Sequence, residues 1–254
     1  MKVLKRYSVL KHSGKSITKR VCISVPLTGL VRAEWMLARY GQIIPANWSS
    51  AELIRWIDTY SPLTYAVDDA RNLAVDFIVK QGFEWLFFID HDVVLPIDTF
   101  IRMNEWMHKD FPVVGGLYHI KGDPADPLIY RGRGTSSFRK WKPGEQVWCD
   151  GLGMGCTIIS VKLLKAVWQE SDEYSVGDQK VRKVFFTPRS ASFNEQTGSF
   201  DIEAGTEDLW FLNRVIKEGW LKKCGFTKVA NRQYPFIVDT AIKCGHIDNM
   251  GRVF

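Results

Sequence analysis

Trp85-Leu-Phe-Phe-Ile89 is an unbroken run of large apolar residues that stops at Asp90-His91-Asp92. A strand with no polar residue has no face to offer to water, so it belongs inside a sheet covered on both sides. The flanking sequence offers the covers. Upstream, Ala70, Leu73, Ala74, Phe77 and Ile78 recur at helical spacing, with Asp68 and Asp69 at the start of the stretch and Gly82 just beyond its end. Downstream, Pro96 opens a helix running to about Met107.

Other stretches extend the alternation. Val21–Val25 is a β-rich run ended by Pro26, and Val113-Val114 begins a strand ending in Gly115-Gly116. Strands are expected at Cys156–Ser160, Val184–Thr187, and near 225–230 and 236–239. Helices are expected at Ala33–Tyr40, Ala51–Thr59 and Val161–Gln169. Thr206 caps a further helix, with Leu209, Leu212 and Ile216 inward and Gly219 stopping it. Residues 119–149 are Pro/Gly-rich and charged and read as a long excursion. Strands alternating with helices predict an α/β fold with a mostly parallel sheet flanked by helices. No repeat or linker divides the 254 residues, so one domain is expected.

Composition excludes several classes. No apolar run approaches the ~18–20 residues of a membrane helix, and the basic N-terminus lacks the apolar core of a secretory signal. The five cysteines form no Cys-x-x-Cys pair and lack disulfide-scaffold spacing, which fits a reduced, cytoplasmic compartment. The net charge of +6 is uneven: residues 1–20 hold seven basic residues and no acid, and the rest holds 27 basic and 28 acidic. Such an arm suits phosphates or an anionic surface, or simply a solvated tail. A second basic cluster (Arg131, Arg133, Arg139, Lys140, Lys142) is interleaved with Phe138 and Trp141, a pattern that suits nucleic acid as well as an ordinary loop.

Four motifs carry chemistry. Asp90 and Asp92 follow the most apolar strand, where ligands of open α/β sheets bind, and a cation would relieve their repulsion. Cys244-Gly245-His246 offers a late imidazole; with no second Cys/His pair, zinc is disfavoured and a mixed oxygen–nitrogen set tilts toward manganese over magnesium. Glu207-Asp208 opens a helix, as a dipole complement or as a base for a substrate hydroxyl. Gly151-Leu-Gly153-Met-Gly155 lacks phosphate-loop spacing; its glycines suit close approach of backbone to a bulky ligand.

The order of these elements is recognisable: Val25-Pro26-Leu-Thr28, Ala70-Arg71-Asn72, Ile89-Asp90-His91-Asp92, a Gly-rich loop, Thr206-Glu207-Asp208 and His246. Over roughly residues 20–250 the chain resembles a GT-A (Rossmann-like) nucleotide-sugar glycosyltransferase, similar to the inverting family 2 type and to compact bacteriophage and metagenomic forms. The resemblance implies a basic segment 1–20 and a GT-A domain 21–254, with a nucleotide-binding half at about 21–118 and an acceptor half at about 150–254. It implies that Pro26, Thr28 and Arg71 line the nucleotide pocket and that Asp90 faces ribose or metal. Asp92 and His246 would hold Mn2+ or Mg2+ on the diphosphate, Asp208 would be the base, and Glu207 would bind sugar or acceptor. The donor it implies is a nucleoside-diphosphate sugar, UDP being the commonest choice. The implied acceptor is a hydroxymethylated pyrimidine in DNA, with a glycan or protein hydroxyl as the alternative; for a phage-encoded enzyme the host cytoplasm is implied. The sequence departs from the family pattern at His91, and the Glu207-Asp208 pair leaves open which acid is the base. A nucleotidyltransferase should carry a Gly-rich, basic signature after the first strand, which Val25-Pro-Leu-Thr28 lacks. A non-catalytic nucleic-acid-binding protein explains the basic arm but none of the four motifs.

Overall fold

The computed structural model describes residues 21–45, 62–132, 136–194 and 199–254; the basic segment 1–20, the helix expected at 51–59 and Arg133 lie outside the described residues. The first half contains β1 (Val21–Ser24), α1 (Ala33–Tyr40), α2 (Val67–Gln81), β2 (Trp85–Ile89), β3 (Val93–Val94), α3 (Thr99–His108) and β4 (Val113–Leu117). Next come β5 (Ile129–Tyr130), β6 (Gln146–Cys149), β7 (Gly151–Leu152), β8 (Cys156–Ser160) and α4 (Val161–Gln169). Two hairpins follow, β9 (Glu173–Val176) with β10 (Gln179–Arg182) and β11 (Arg189–Asn194) with β12 (Ser199–Ala204). The chain then forms α5 (Glu207–Lys217), α6 (Trp220–Lys223), α7 (Thr227–Ala230), β13 (Phe236–Lys243) and β14 (Gly245–His246).

Among the described residues the main sheet has six strands in the order β1-β2-β8-β4-β13-β6. It is mixed, which corrects the expectation of a mostly parallel sheet: β1/β2 and β4/β13 are parallel, but β8 runs antiparallel to both β2 and β4, and β6 antiparallel to β13. The reason lies in the connections. A parallel neighbour is normally reached through a crossover, usually a helix. The described residues between β4 and β8 contain short strands and turns but no helix, so β8 enters pointing the other way. The centre of the sheet is as the apolar runs dictate, with every residue of β2, β4 and β8 buried. Each large side chain there contributes about 1.5–3 kcal/mol by leaving water.

The α2 helix ends as expected at Gly82, whose φ of +69° caps it in the left-handed region. Its burial is wider than the apolar stripe, however, and takes in Arg71, Asn72 and Asp76. In α5 the buried apolar residues are Phe211, Leu212 and Val215 instead of the expected Leu209, Leu212 and Ile216. Two expected strands are absent: 227–230 is helical, and 184–187 is irregular. Asn72 explains the second case. Its Oδ1 accepts from the amides of Val184 (2.9 Å) and Phe185 (2.8 Å), so those donors are satisfied without a sheet partner. No helix among the described residues is long and apolar enough to cross a membrane.

The strand directions place the motifs together. β1, β2, β4 and β13 all point the same way, by the pairings given above. Thr28, Asp90–Asp92, His119 with Lys121, and Gly245-His246 therefore all lie just beyond the carboxyl ends of these four strands. The start of antiparallel β8, after Gly155, joins them at the same end. Open α/β sheets bind ligands in such a crevice.

Candidate active site

Asp92 and His246 face each other across this crevice. β14 pairs with β3 so that His246 lies opposite Val93, and the Ile247 amide donates to the Asp92 carbonyl at 2.8 Å. The His246 ring is fixed from behind: its Nδ1 lies 2.6 Å from the His119 carbonyl oxygen. A carbonyl only accepts, so Nδ1 carries the proton, and in the neutral ring Nε2 keeps its lone pair. That lone pair lies 3.5 Å from Asp92 Oδ2. The same carboxylate oxygen also accepts from the Lys121 ammonium. Burial alone would raise the Asp92 carboxyl, but the hydrogen bond and charge of His246 in its cationic form, with Nε2 also protonated, and those of Lys121 outweigh it and hold the group well below the usual carboxylate range.

Asp90 turns the other way. Both of its carboxylate oxygens accept from Arg71 Nη2 at 3.1 Å. Arg71 Nε donates to Glu207 Oε1 at 3.0 Å, so one guanidinium ties the Asp-x-Asp turn to the start of α5. Arg71 is only 2% exposed and lies over the Phe88 ring at 4.7 Å. Burial alone would lower the guanidinium, but the charges of Asp90 and Glu207 more than reverse this and keep it ionised. Arg71, which the resemblance implies lines the nucleotide pocket, is a buried strut.

His91 has a definite place. Its Nδ1 lies 3.1 Å from the Pro26 carbonyl oxygen and its Nε2 3.1 Å from Thr28 Oγ1. By the same reasoning Nδ1–H donates to Pro26, and the Thr28 hydroxyl donates to Nε2 of the neutral ring. The residue that departs from the family pattern thus fastens the first strand's end to the acidic turn. Thr28, His91, Asp92 and Lys121, with Arg32 and Asn249, line a cavity of about 370 Å³, within the range of small-molecule sites.

Asp208 stands at the first turn of α5. Its Oδ1 accepts from the Thr206 hydroxyl and from the Leu209 amide, the latter at 2.7 Å. Burial, then the neighbouring Glu207 charge, push its carboxyl up to about 6. Glu207 is buried and committed to Arg71, whereas Asp208 is only partly buried. Of the two acids, Asp208 is the one with an accessible carboxylate near the pH of a working base.

Sequence reasoning missed Tyr118, Lys121 and Trp35. Trp35 Nε1 donates to the Asp90 carbonyl at 2.8 Å. The buried Tyr118 accepts from the Gly155 amide at 2.8 Å and meets His246 edge-on, with ring centroids 5.4 Å apart. The glycine run makes room for these residues. A Cβ on Gly153 would sit 2.2 Å from the Tyr118 hydroxyl, and one on Gly155 would sit 2.9 Å from Asp90 Oδ2. The close approach expected toward a ligand is, at these positions, an approach to the protein's own side chains.

Two residues of the second basic cluster, Arg131 and Arg139, are engaged internally, while Lys140 and Lys142 are exposed. The Arg131 guanidinium lies 3.6 Å from the Phe138 ring centre and 4.9 Å from that of Tyr234, and Arg139 pairs with Asp126. Asp126 and Arg139 share an open groove of about 860 Å³ with Tyr130, Ser137 and Phe138. Burial, and after it the charges of Asp208 and Asp126, raise the Tyr130 hydroxyl above the ordinary range.

No protein-family model matches the chain, and no curated protein does. Among solved structures it is similar to A197 from STIV, at a TM-score of 0.49 and 15% identity over 92% of this chain and 93% of that one. It is also similar to a Bacillus anthracis protein described as a glucose-1-phosphate thymidylyltransferase and solved with sucrose. That likeness has a TM-score of 0.32 and 12% identity, over 58% of this chain and 74% of the other. Both likenesses are too distant to carry a function to this chain.

Proposed function

We propose that the chain is a metal-dependent glycosyltransferase of the GT-A kind, moving a sugar from a nucleoside-diphosphate sugar to an acceptor hydroxyl with inversion. The observation that carries this reading is the Asp92–His246 pair: a carboxylate oxygen and an imidazole lone pair, 3.5 Å apart, beside the 370 Å³ cavity. Among the described residues no group of three or more His, Cys, Asp or Glu side chains could hold a metal ion, so the protein would supply these two donors and substrate oxygens and water the rest. The set fits manganese better than zinc, because it holds one nitrogen, one oxygen and no thiolate. Bound there, the ion would neutralise charge on the departing nucleoside diphosphate.

The chain's own residues do the remainder. His91 and Thr28 shape the wall of the donor cavity, and Arg71 holds Asp90 and Glu207 in fixed relation. Asp208 takes the proton from the acceptor hydroxyl as that oxygen attacks the anomeric carbon. The groove of Tyr130, Asp126 and Arg139 supplies the acceptor side. Its ring and its Asp126–Arg139 pair suit a glycan or protein hydroxyl. UDP is the first donor nucleotide to try.

The test is a thermal-shift panel of nucleoside diphosphates and nucleotide sugars, each with manganese, magnesium or chelator. A ligand at 100 times its Kd adds about 2.7 kcal/mol, or several degrees at this size. A shift that needs both one nucleotide and the metal supports the reading. Stabilisation by DNA alone, with no response to any nucleotide, contradicts it.

A further inference from the structure

Lys121 sits where the donor reading requires a cation, and it carries the wrong charge number for the task. Its ammonium is on Asp92 Oδ2, the same oxygen that faces His246 Nε2. A divalent ion that Asp92 and His246 would hold and a protonated lysine on the same carboxylate would repel each other and compete for that oxygen's lone pairs. One must yield.

The surroundings indicate which part moves. Lys121 belongs to the turn between β4 and β5, whose base is zipped by Leu128 N–H to the Tyr118 carbonyl (3.0 Å) and Ile120 N–H to the Asp126 carbonyl (2.8 Å). The turn is also fastened to the site itself through the His119 carbonyl, which receives His246 Nδ1–H. Moving the backbone would therefore disturb the imidazole. The lysine side chain is 31% exposed, sits on a flexible four-carbon stem, and lines the same cavity as Thr28, His91 and Asp92. It has space to swing into that cavity without the turn moving.

We infer that Lys121 is an exchangeable counter-ion: it neutralises Asp92 while the site holds no metal, and on metal entry it transfers its ammonium to the diphosphate of the incoming donor. This rests on the donor reading above and adds a residue to it. The exchange makes the two ligands help each other. Metal binding alone must displace the lysine, whereas metal with a diphosphate gives the displaced ammonium a new anion to bind.

The experiment compares the wild type with Lys121→Met and Lys121→Arg by titration calorimetry. The probes are MnCl2 alone, then UDP at saturating Mn2+, with ADP and GDP in parallel. Lys121→Met removes the competitor and the phosphate partner together, so the two affinities should change in opposite directions. Mn2+ alone should bind about tenfold tighter and the nucleotide about tenfold weaker, the scale of one charge-assisted contact. Lys121→Arg should restore most of the nucleotide affinity. A matching Tm for the three proteins without ligand checks that the fold is intact. Lys121→Met with unchanged or weakened Mn2+ binding, or with unchanged nucleotide binding, overturns the inference while leaving the donor site standing. A wild type that binds none of the nucleotides overturns the donor reading and the inference with it.

Discussion

Arg71, with 2% of its side chain exposed, can keep its charge only because Asp90 and Glu207 lie against it. Removing it leaves two carboxylates without their shared cation. Arg71→Ala is expected to cost on the order of 3–5 kcal/mol in urea unfolding. Arg71→Lys should recover only part of that, since an ammonium cannot fork between two partners. Asp208 gives a prediction of opposite character. A base must be ionised, and this carboxyl is pushed up to about 6, so the transfer rate should fall as pH drops below about 6. Glu207→Gln removes one cause of the shift and should move that limb to lower pH. The same shift has a stability consequence: a raised carboxyl favours the fold while protonated and loses that advantage as pH rises through about 6. Asp208→Asn should therefore raise Tm at pH 8 relative to wild type and change it little at pH 4. Asp90, Asp92, Glu207, Asp208 and His246 are singled out from the sequence by their order along the chain, since each motif taken alone is common. Their partnerships were not legible. Arg71 and Glu207 are 136 positions apart, and Lys121 stands in a charged, Pro/Gly-rich stretch where nothing marks one lysine.

At the scale of elements, periodicity located what packing decides and failed where hydrogen bonds decide. β1, β2, β4, α2 and α4 fall close to their expected places because each is set by a dense apolar pattern. Strand direction is not written in such a pattern, and β8 reads the same whether it runs parallel or antiparallel to β2. Residues 184–187 look like a strand, yet the Asn72 side chain takes the amides a sheet would have used. The glycine run is the element most open to test. A Cβ at Gly155 would meet Asp90 Oδ2, the Tyr118 hydroxyl and Val93 Cγ2, each at 2.9 Å. Gly155→Ala should cost about 1–3 kcal/mol as an overpacked site. Because it pushes on Asp90 and the turn leading to Asp92, it should also weaken Mn2+ binding beyond what lost stability explains; calorimetry on the folded variant checks this.

For the whole molecule, four strands of common direction bring together residues from Thr28 to His246 at one end of one sheet, where Thr28, His91, Asp92 and Lys121 line a cavity; a separate groove is lined by Asp126, Tyr130 and Arg139. Donor and acceptor functions should then separate by mutation. Arg139→Ala breaks a pair in the groove and should raise the acceptor KM while leaving donor affinity unchanged. The direct test of the account is Asp208→Asn assayed beside wild type for both donor binding and sugar transfer. A base role for Asp208 requires donor affinity within about twofold of wild type with transfer reduced by at least the ~10²–10⁴-fold typical of a lost general base. Transfer at the wild-type rate, or loss of donor binding together with transfer, would contradict it.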